Sequence, residues 1–372
     1  MSETTAWRLV AVLSVLSAGA ALGNEAAQYF WDATVYVQAL DSPNPYRFSE
    51  PYPFLYPPFA ADLFKMARSH LFEFISIASV AAAAFFLQVF AQIRLPRRFE
   101  WLMAITAMGG LGVVSLLVGN VGIPMHLTLL AVALQAALGT PMALRLLPIV
   151  IGFGALIKPQ FAFYLGLLLC LERSSMAAVA KSVAVAAAVA LVHGSYILFR
   201  PHDWNEYVQA VLKRTVDEKD FGWGPAAFAV RFSDANAAAT AGYALALLAV
   251  CGLAYQAWRK SIRSDRPPPP LFVVSLAFVV LTFANPRLPL YDLYVAAIAL
   301  VICCAMALPA PGMAWTLAAA LAINFVPWVV ANFTRTPSAW PWWIQDLQMT
   351  HLLGIASLFI ALSRSGIQPR RG

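Results

Sequence analysis

Charge is scarce in this chain. Only 12% of its 372 residues are Asp, Glu, Lys or Arg, against about 25% in soluble domains, and this deficit excludes a soluble globular protein. Cysteine is scarce too: Cys170, Cys251, Cys303 and Cys304 all lie inside apolar runs. They have neither metal-ligand spacing nor the loop positions of a disulfide framework, so they read as packing residues. No His, Asp and Glu residues cluster with metal-ligand spacing. The net charge of +7 comes without a basic stripe interleaved with aromatics, which argues against a nucleic-acid partner. No convincing internal repeat is present.

Apolar sequence is abundant, at 61% of residues. Runs long enough to cross hydrocarbon, roughly 20 residues each, recur from end to end, and basic residues gather at their ends as topology requires. The reading is an all-α polytopic integral membrane protein with about twelve transmembrane helices (range 10–13). Both termini are placed in the cytoplasm. The inner segments then hold 14 Lys and Arg against 4 Asp and Glu, and the outer segments 11 against 14. The first run, 7–23, also fits a cleaved signal peptide, but an uncleaved helix keeps the charge balance.

Three regions follow. Residues 1–199 form an N-terminal membrane module with a first outer loop at 24–58 and a broken hairpin at 146–171. An outer loop spans 200–236, and residues 237–372 form a C-terminal membrane module. Residues 59–69 read as an amphipathic helix lying at the membrane surface. Asp62, Lys65 and Arg68 share one face of it, and Phe59, Leu63 and Met66 the other. Residues 94–98 and 259–266 carry the inner basic clusters, the latter followed by a stiff linker, Pro267 to Pro270. Lys158-Pro159 interrupts the run between Arg145 and Arg173. A break of this kind is tolerated only where it lines a cavity or packs against protein. The last outer loop carries an aromatic belt of Trp340, Trp342 and Trp343, and Asn332, Phe333 and Thr334 fit a glycosylation sequon.

The outer loops carry most of the chemistry-bearing residues. Asp32 sits among aromatics in YFWDATVY, residues 29–36. Read alone it is either a solvated or capping carboxylate or a general base whose basicity rises as aromatic walls desolvate it. Asn44, Pro45, Tyr46 and Arg47 follow, then Tyr56, Pro57 and Pro58, then Gly119-Asn120 at a later hairpin. Lys158, Pro159 and Gln160 mark the break; Asn285, Pro286 and Arg287 precede Tyr291 and Asp292. An Arg near a span is costly enough to need a reason: it either pairs with Asp292 to pin two helices or receives an anion. Lys158 is either a snorkelling side chain or a second cationic donor. Arg47, Lys213 and Arg214 read as solvated loop charges and His193 as a packing histidine. His70, His126, His202 and His351 have no assigned role.

The order Asp-x-x-x-Tyr, Asn-Pro-Tyr and Tyr-Pro-Pro after a first span resembles glycosyltransferase family 87. These are multi-spanning enzymes of the GT-C class that use polyprenyl-phosphate sugars, mycobacterial mannosyltransferases among them. Gly119-Asn120 resembles the family's Gly-Gln, with Asn in place of Gln. Lys158-Pro159-Gln160 resembles its Lys-Pro step, and the Asn285 to Asp292 stretch a Pro-Arg…Tyr-Asp variant of its later loop. The histidine some members carry there is missing here.

The resemblance implies a GT-C-like fold and transfer of a hexose, mannose first, from a polyprenyl phosphate to a lipid or glycan acceptor. The active site would face the periplasm from the inner membrane. It makes Asp32 the base of an inverting displacement, Arg287 and Lys158 the donor-phosphate ligands, and Tyr36, Asn44, Tyr46, Tyr56, Asn120, Gln160, Tyr291 and Asp292 substrate contacts. No metal or other cofactor is implied. The implied partners are the lipid-linked donor, the acceptor and membrane lipids. The alternatives are a transporter or lipid flippase, which would show paired breaks in related halves, and an envelope ligase using a polyprenyl diphosphate.

Overall fold

The computed structural model describes residues 31–47, 54–93, 119–172, 174–222, 224–230, 236–262 and 268–306. The expected first, third, eleventh and twelfth spans, both termini, the tryptophan belt and the sequon lie outside the described residues. Within them the regular structure is helical, and one isolated parallel bridge joins Gly222 to Leu288. The helices are α1 (Trp31–Asp41), α2 (Pro58–Met66), α3 (Leu71–Gln92), α4 (Gly122–Ala137), α5 (Pro141–Ile157), α6 (Gly166–Leu171), α7 (Ser175–Phe199), α8 (Pro201–Leu212), α9 (Pro225–Ala229), α10 (Asn236–Ile262), α11 (Pro270–Phe283) and α12 (Leu290–Met306).

Proline sets several starts. Pro58, Pro141, Pro201 and Pro270 each stand at the first turn of a helix, where the missing N–H costs nothing and the fixed φ fits. Ser174 caps α7 by accepting from the Ala177 N–H at 3.4 Å. Helix α4 ends at Gly139 (φ +91°). The Gly139 N–H donates to the Ala136 carbonyl at 3.0 Å and the Thr140 N–H to that of Gln135 at 3.2 Å, a left-handed cap that satisfies the last carbonyls. Pro141 then begins α5 at once.

Three stretches, Arg68–Gln92, Ser175–Phe199 and Asn236–Arg259, are long and apolar enough to cross a membrane by length and composition. Many of their large apolar side chains face outward: Ile77, Val80 and Leu87 on α3, Val183 and Leu191 on α7, Leu245 and Leu248 on α10 are all exposed. Such apolar surface is far beyond what a soluble monomer shows and is what hydrocarbon accepts. Helices α4, α5, α11 and α12 are apolar but shorter.

The chain forms two compact units. Among the described residues, 31–92 and 119–221 belong to one, and 93 and 222–306 to the other. In the first, α3 packs on α4 and α4 on α5, and α7 lies against α5. The expected break is present. Lys158 leaves the helical region (φ −131°, ψ 102°) and a 3-10 turn, Pro159–Leu165, follows. The turn folds back on α5, so that a Cβ on Gly154 would lie 2.4 Å from the Phe161 ring. In the second unit, α9 packs on α10 and α11 on α12, and the Tyr243 hydroxyl donates to the Ala284 carbonyl at 2.7 Å.

Helix α2 buries Pro58, Ala60, Ala61 and Phe64, while Met66 is 85% exposed. Leu63 is partly buried against the same aromatic cluster that Phe64 enters, and the small alanines let the helix approach it closely.

Candidate active site

The expected first outer loop is a folded layer. Its core is an aromatic knot of Tyr36, Phe54, Tyr56 and Phe64, all buried. Tyr36 stacks on Phe64 (centroids 5.7 Å) and meets Tyr56 edge-on at 5.2 Å, arrangements in which each ring's positive edge or offset face meets its neighbour's negative face. Val121 at the start of α4, Ile157 at the end of α5 and Tyr46 belong to the same buried cluster. The cluster thus fixes α1, the start of α4 and the break in one place.

Four of the expected site residues join in one hydrogen-bond network on this knot. Asp32, half-buried, sits in the first turn of α1, at the positive end of the helix. The Asn120 amide donates to Asp32 Oδ2 at 2.5 Å and to the Tyr36 hydroxyl at 2.8 Å. The Tyr36 and Tyr56 hydroxyls are 2.7 Å apart, either one donating. Tyr36 follows Asp32 by one helical turn, so the two side chains share a face of α1.

The other expected residues of this unit stand around that network. Asn44 accepts from the Tyr46 N–H at 2.9 Å and so shapes the 3-10 turn Pro45–Arg47. The Tyr46 ring is buried and its hydroxyl has no hydrogen-bond partner among the described residues. Burial, with smaller contributions from neighbouring Tyr207, Asp203 and Asp62, pushes that phenol well above its ordinary pKa. Lys158 is 6% exposed at the C-terminal end of α5, where a cation is favoured. It directly follows Ile157 of the cluster, and Gln160 is half-buried on the next turn.

Arg287, Tyr291 and Asp292 belong to the second unit. There the Arg287 N–H donates to Asn285 Oδ1 at 3.1 Å, and Asp292 lies in the first turn of α12, 1% exposed. Gly222 (φ +74°) lets this segment pass close by: a Cβ there would be 2.5 Å from the Leu288 carbonyl.

Sequence reasoning missed the layer that covers Tyr46. Residues 200–217, read as loop, form α8 and a short π turn. Arg47 donates to Glu206 at 2.6 Å, and Arg200 donates to Asp62 and Asp203, each at 2.5 Å. The Tyr196 hydroxyl donates to Asp62 at 2.8 Å. Arg47 holds the Glu206 carboxyl below its usual range, and burial pushes Tyr207 up to about 12. The acidic and aromatic spacing of Asp203, Glu206 and Tyr207 in α8 was the available signal. His126 was also passed over. It is 2% exposed, its Nδ1 lies 2.8 Å from the Gly122 carbonyl, and its ring packs 4.3 Å from that of Phe161. It holds the folded-back turn against α4.

The model of glycosyltransferase family 87 matches residues 54–286, well over half of the chain. No curated protein and no solved structure matches.

Proposed function

The chain belongs to glycosyltransferase family 87, and on that premise we propose that it moves a hexose, mannose first, from a polyprenyl phosphate to a lipid or glycan hydroxyl. The transfer takes place on the outer face of the inner membrane. Asp32 takes the proton of the acceptor hydroxyl as its oxygen bonds to the sugar's anomeric carbon. The bond from that carbon to the phosphate oxygen breaks, the polyprenyl phosphate leaves with the electron pair, and the configuration inverts. One carboxylate serves because a single displacement needs one base.

The observation that carries this reading is the network of Asp32, Asn120, Tyr36 and Tyr56 on the aromatic knot. Tyr56 and Asn120 lie inside the matched stretch, and their hydrogen bonds tie to it the two residues that precede it. The leaving phosphate needs cationic or N–H donors where its charge develops. Arg287 supplies two donors in a fixed fork, and Lys158 a buried ammonium at the break. Tyr46, Gln160, Tyr291 and Asp292 contact sugar or acceptor. Tyr36, Tyr56 and Asn44 line the site while bonded to protein groups. The exposed apolar faces of the long helices give the polyprenyl tail a hydrocarbon path.

The test is to incubate purified protein with a panel of polyprenyl-phosphate sugars and an acceptor extract, and to follow released polyprenyl phosphate and the anomeric configuration of the product. The proposal expects one hexose donor to be consumed with inversion. Consumption of a nucleotide sugar instead, or a retained configuration, contradicts it.

A further inference from the structure

Asn120 is 4% exposed, and its side chain is committed on both sides. Its Oδ1 accepts the Gly122 backbone N–H at 2.7 Å. That bond assigns the amide, because a backbone N–H can only donate. Nδ2 therefore faces Asp32 and Tyr36, and its two hydrogens are spent at 2.5 and 2.8 Å. Turning the amide over would set its oxygen against the Asp32 carboxylate. An amide with both N–H groups used inside the protein has no donor left for a sugar. Gly122 opens α4, whose first N–H groups lack intrahelical partners, so Asn120 is anchored to the frame of a helix that is buried along most of its length. From that anchor it spans Asp32 and the residue one turn later on the same face of α1.

We infer that Asn120 is the positioning residue of the transfer, a bracket that fixes the Asp32 carboxylate relative to α4 and does not itself bind the sugar. The inference rests on the reading of Asp32 as the base. A misplacement of about 1 Å at a reacting group costs about a hundredfold in rate, which sets the size of the effect to look for.

Asn120→Asp separates this role from a structural one. Its carboxylate keeps an acceptor for Gly122 and so keeps the turn, but it sets a second carboxylate against Asp32. Two carboxylates at that distance cannot both ionise. The Asp32 pair then holds a proton to higher pH, and the acid limb of the kcat/KM profile moves up by at least about one pH unit. At neutral pH, kcat falls about 10²-fold while the donor KM stays within about threefold. Asn120→Ser keeps a cap acceptor but is too short to reach both Asp32 and Tyr36, and it loses kcat in the same way should the Asp variant fail to fold. An unmoved acid limb with near-normal kcat overturns the inference, as does a raised donor KM with kcat intact. Asp32→Asn is measured in parallel. If it is inactive while Asn120→Asp is normal, only the bracket fails; if it is fully active, the base reading fails and takes the bracket with it.

Discussion

Gly154→Ala should destabilise the break although alanine is the better helix former. Gly154 lies inside α5, where replacing glycine by alanine ordinarily gains up to about 1 kcal/mol. Here the added Cβ would sit 2.4 Å from Phe161 Cδ1 and 2.9 Å from its Cγ, where ordinary contact needs at least about 3.4 Å. The Phe161 ring cannot retreat freely, since it is fully buried with His126 at 4.3 Å and Tyr164 at 5.5 Å. Overpacking of this kind costs about 1–3 kcal/mol, which exceeds the propensity gain. The net loss of up to about 2 kcal/mol lowers the melting midpoint of a chain this long by up to roughly 3 °C. Displacing the turn also shifts Lys158 and Gln160, so turnover should fall with it. Thermal unfolding in detergent and initial rates test this for Gly154→Ala, Phe161→Leu and the double variant, in which the smaller side chain makes room. Coupling between the two sites is expected to recover much of the loss. A midpoint at or above wild type for Gly154→Ala, or strictly additive effects, would refute the packing argument.

Arg287→Lys should not be conservative: one ammonium cannot reproduce the paired donors, so turnover or donor affinity falls markedly, and near-normal kinetics would reduce Arg287 to a structural charge. The Glu206 carboxyl, held below its usual 4.5 by Arg47, adds stability that is full above that value and is lost as pH falls through the lowered one. Glu206→Gln should therefore flatten the acid-side fall in melting temperature, by a small amount because the pair is exposed; an unchanged acid limb would show that the pair contributes nothing. Single cysteines replacing Asp32, Arg287 or Trp343 should react with a membrane-impermeant reagent in intact cells. Labelling only after the membrane is opened would reverse the proposed topology.

Several local features around the candidate site were legible in the sequence. Asp32 and Tyr36 are one helical turn apart, Lys158-Pro159 must interrupt a helix, and Gly119-Asn120 must turn. That Asp32, Tyr36, Tyr56 and Asn120 would share one hydrogen-bond network came from no local pattern; the family resemblance had named them only as separate site residues. What stayed hidden depends on long-range packing. The pair of Arg200 with Asp62 joins positions 138 residues apart, and no periodicity announces it. The burial of Ala60, Ala61 and Phe64 on α2 likewise depends on the aromatic cluster that it meets, not on its own periodicity. Composition alone left a transferase and a transporter both open, since each uses broken helices and charges near the membrane. The family match over residues 54–286 makes the protein a glycosyltransferase.

The most direct test of the account is the release of polyprenyl phosphate by wild-type protein and by Asp32→Asn, each with its preferred lipid-linked hexose. The asparagine keeps shape and size but cannot take a proton from the acceptor, and general-base catalysis is worth about 10²- to 10⁴-fold. The account predicts a loss of at least about a hundredfold with donor binding and folding preserved. Wild-type release by Asp32→Asn would contradict it.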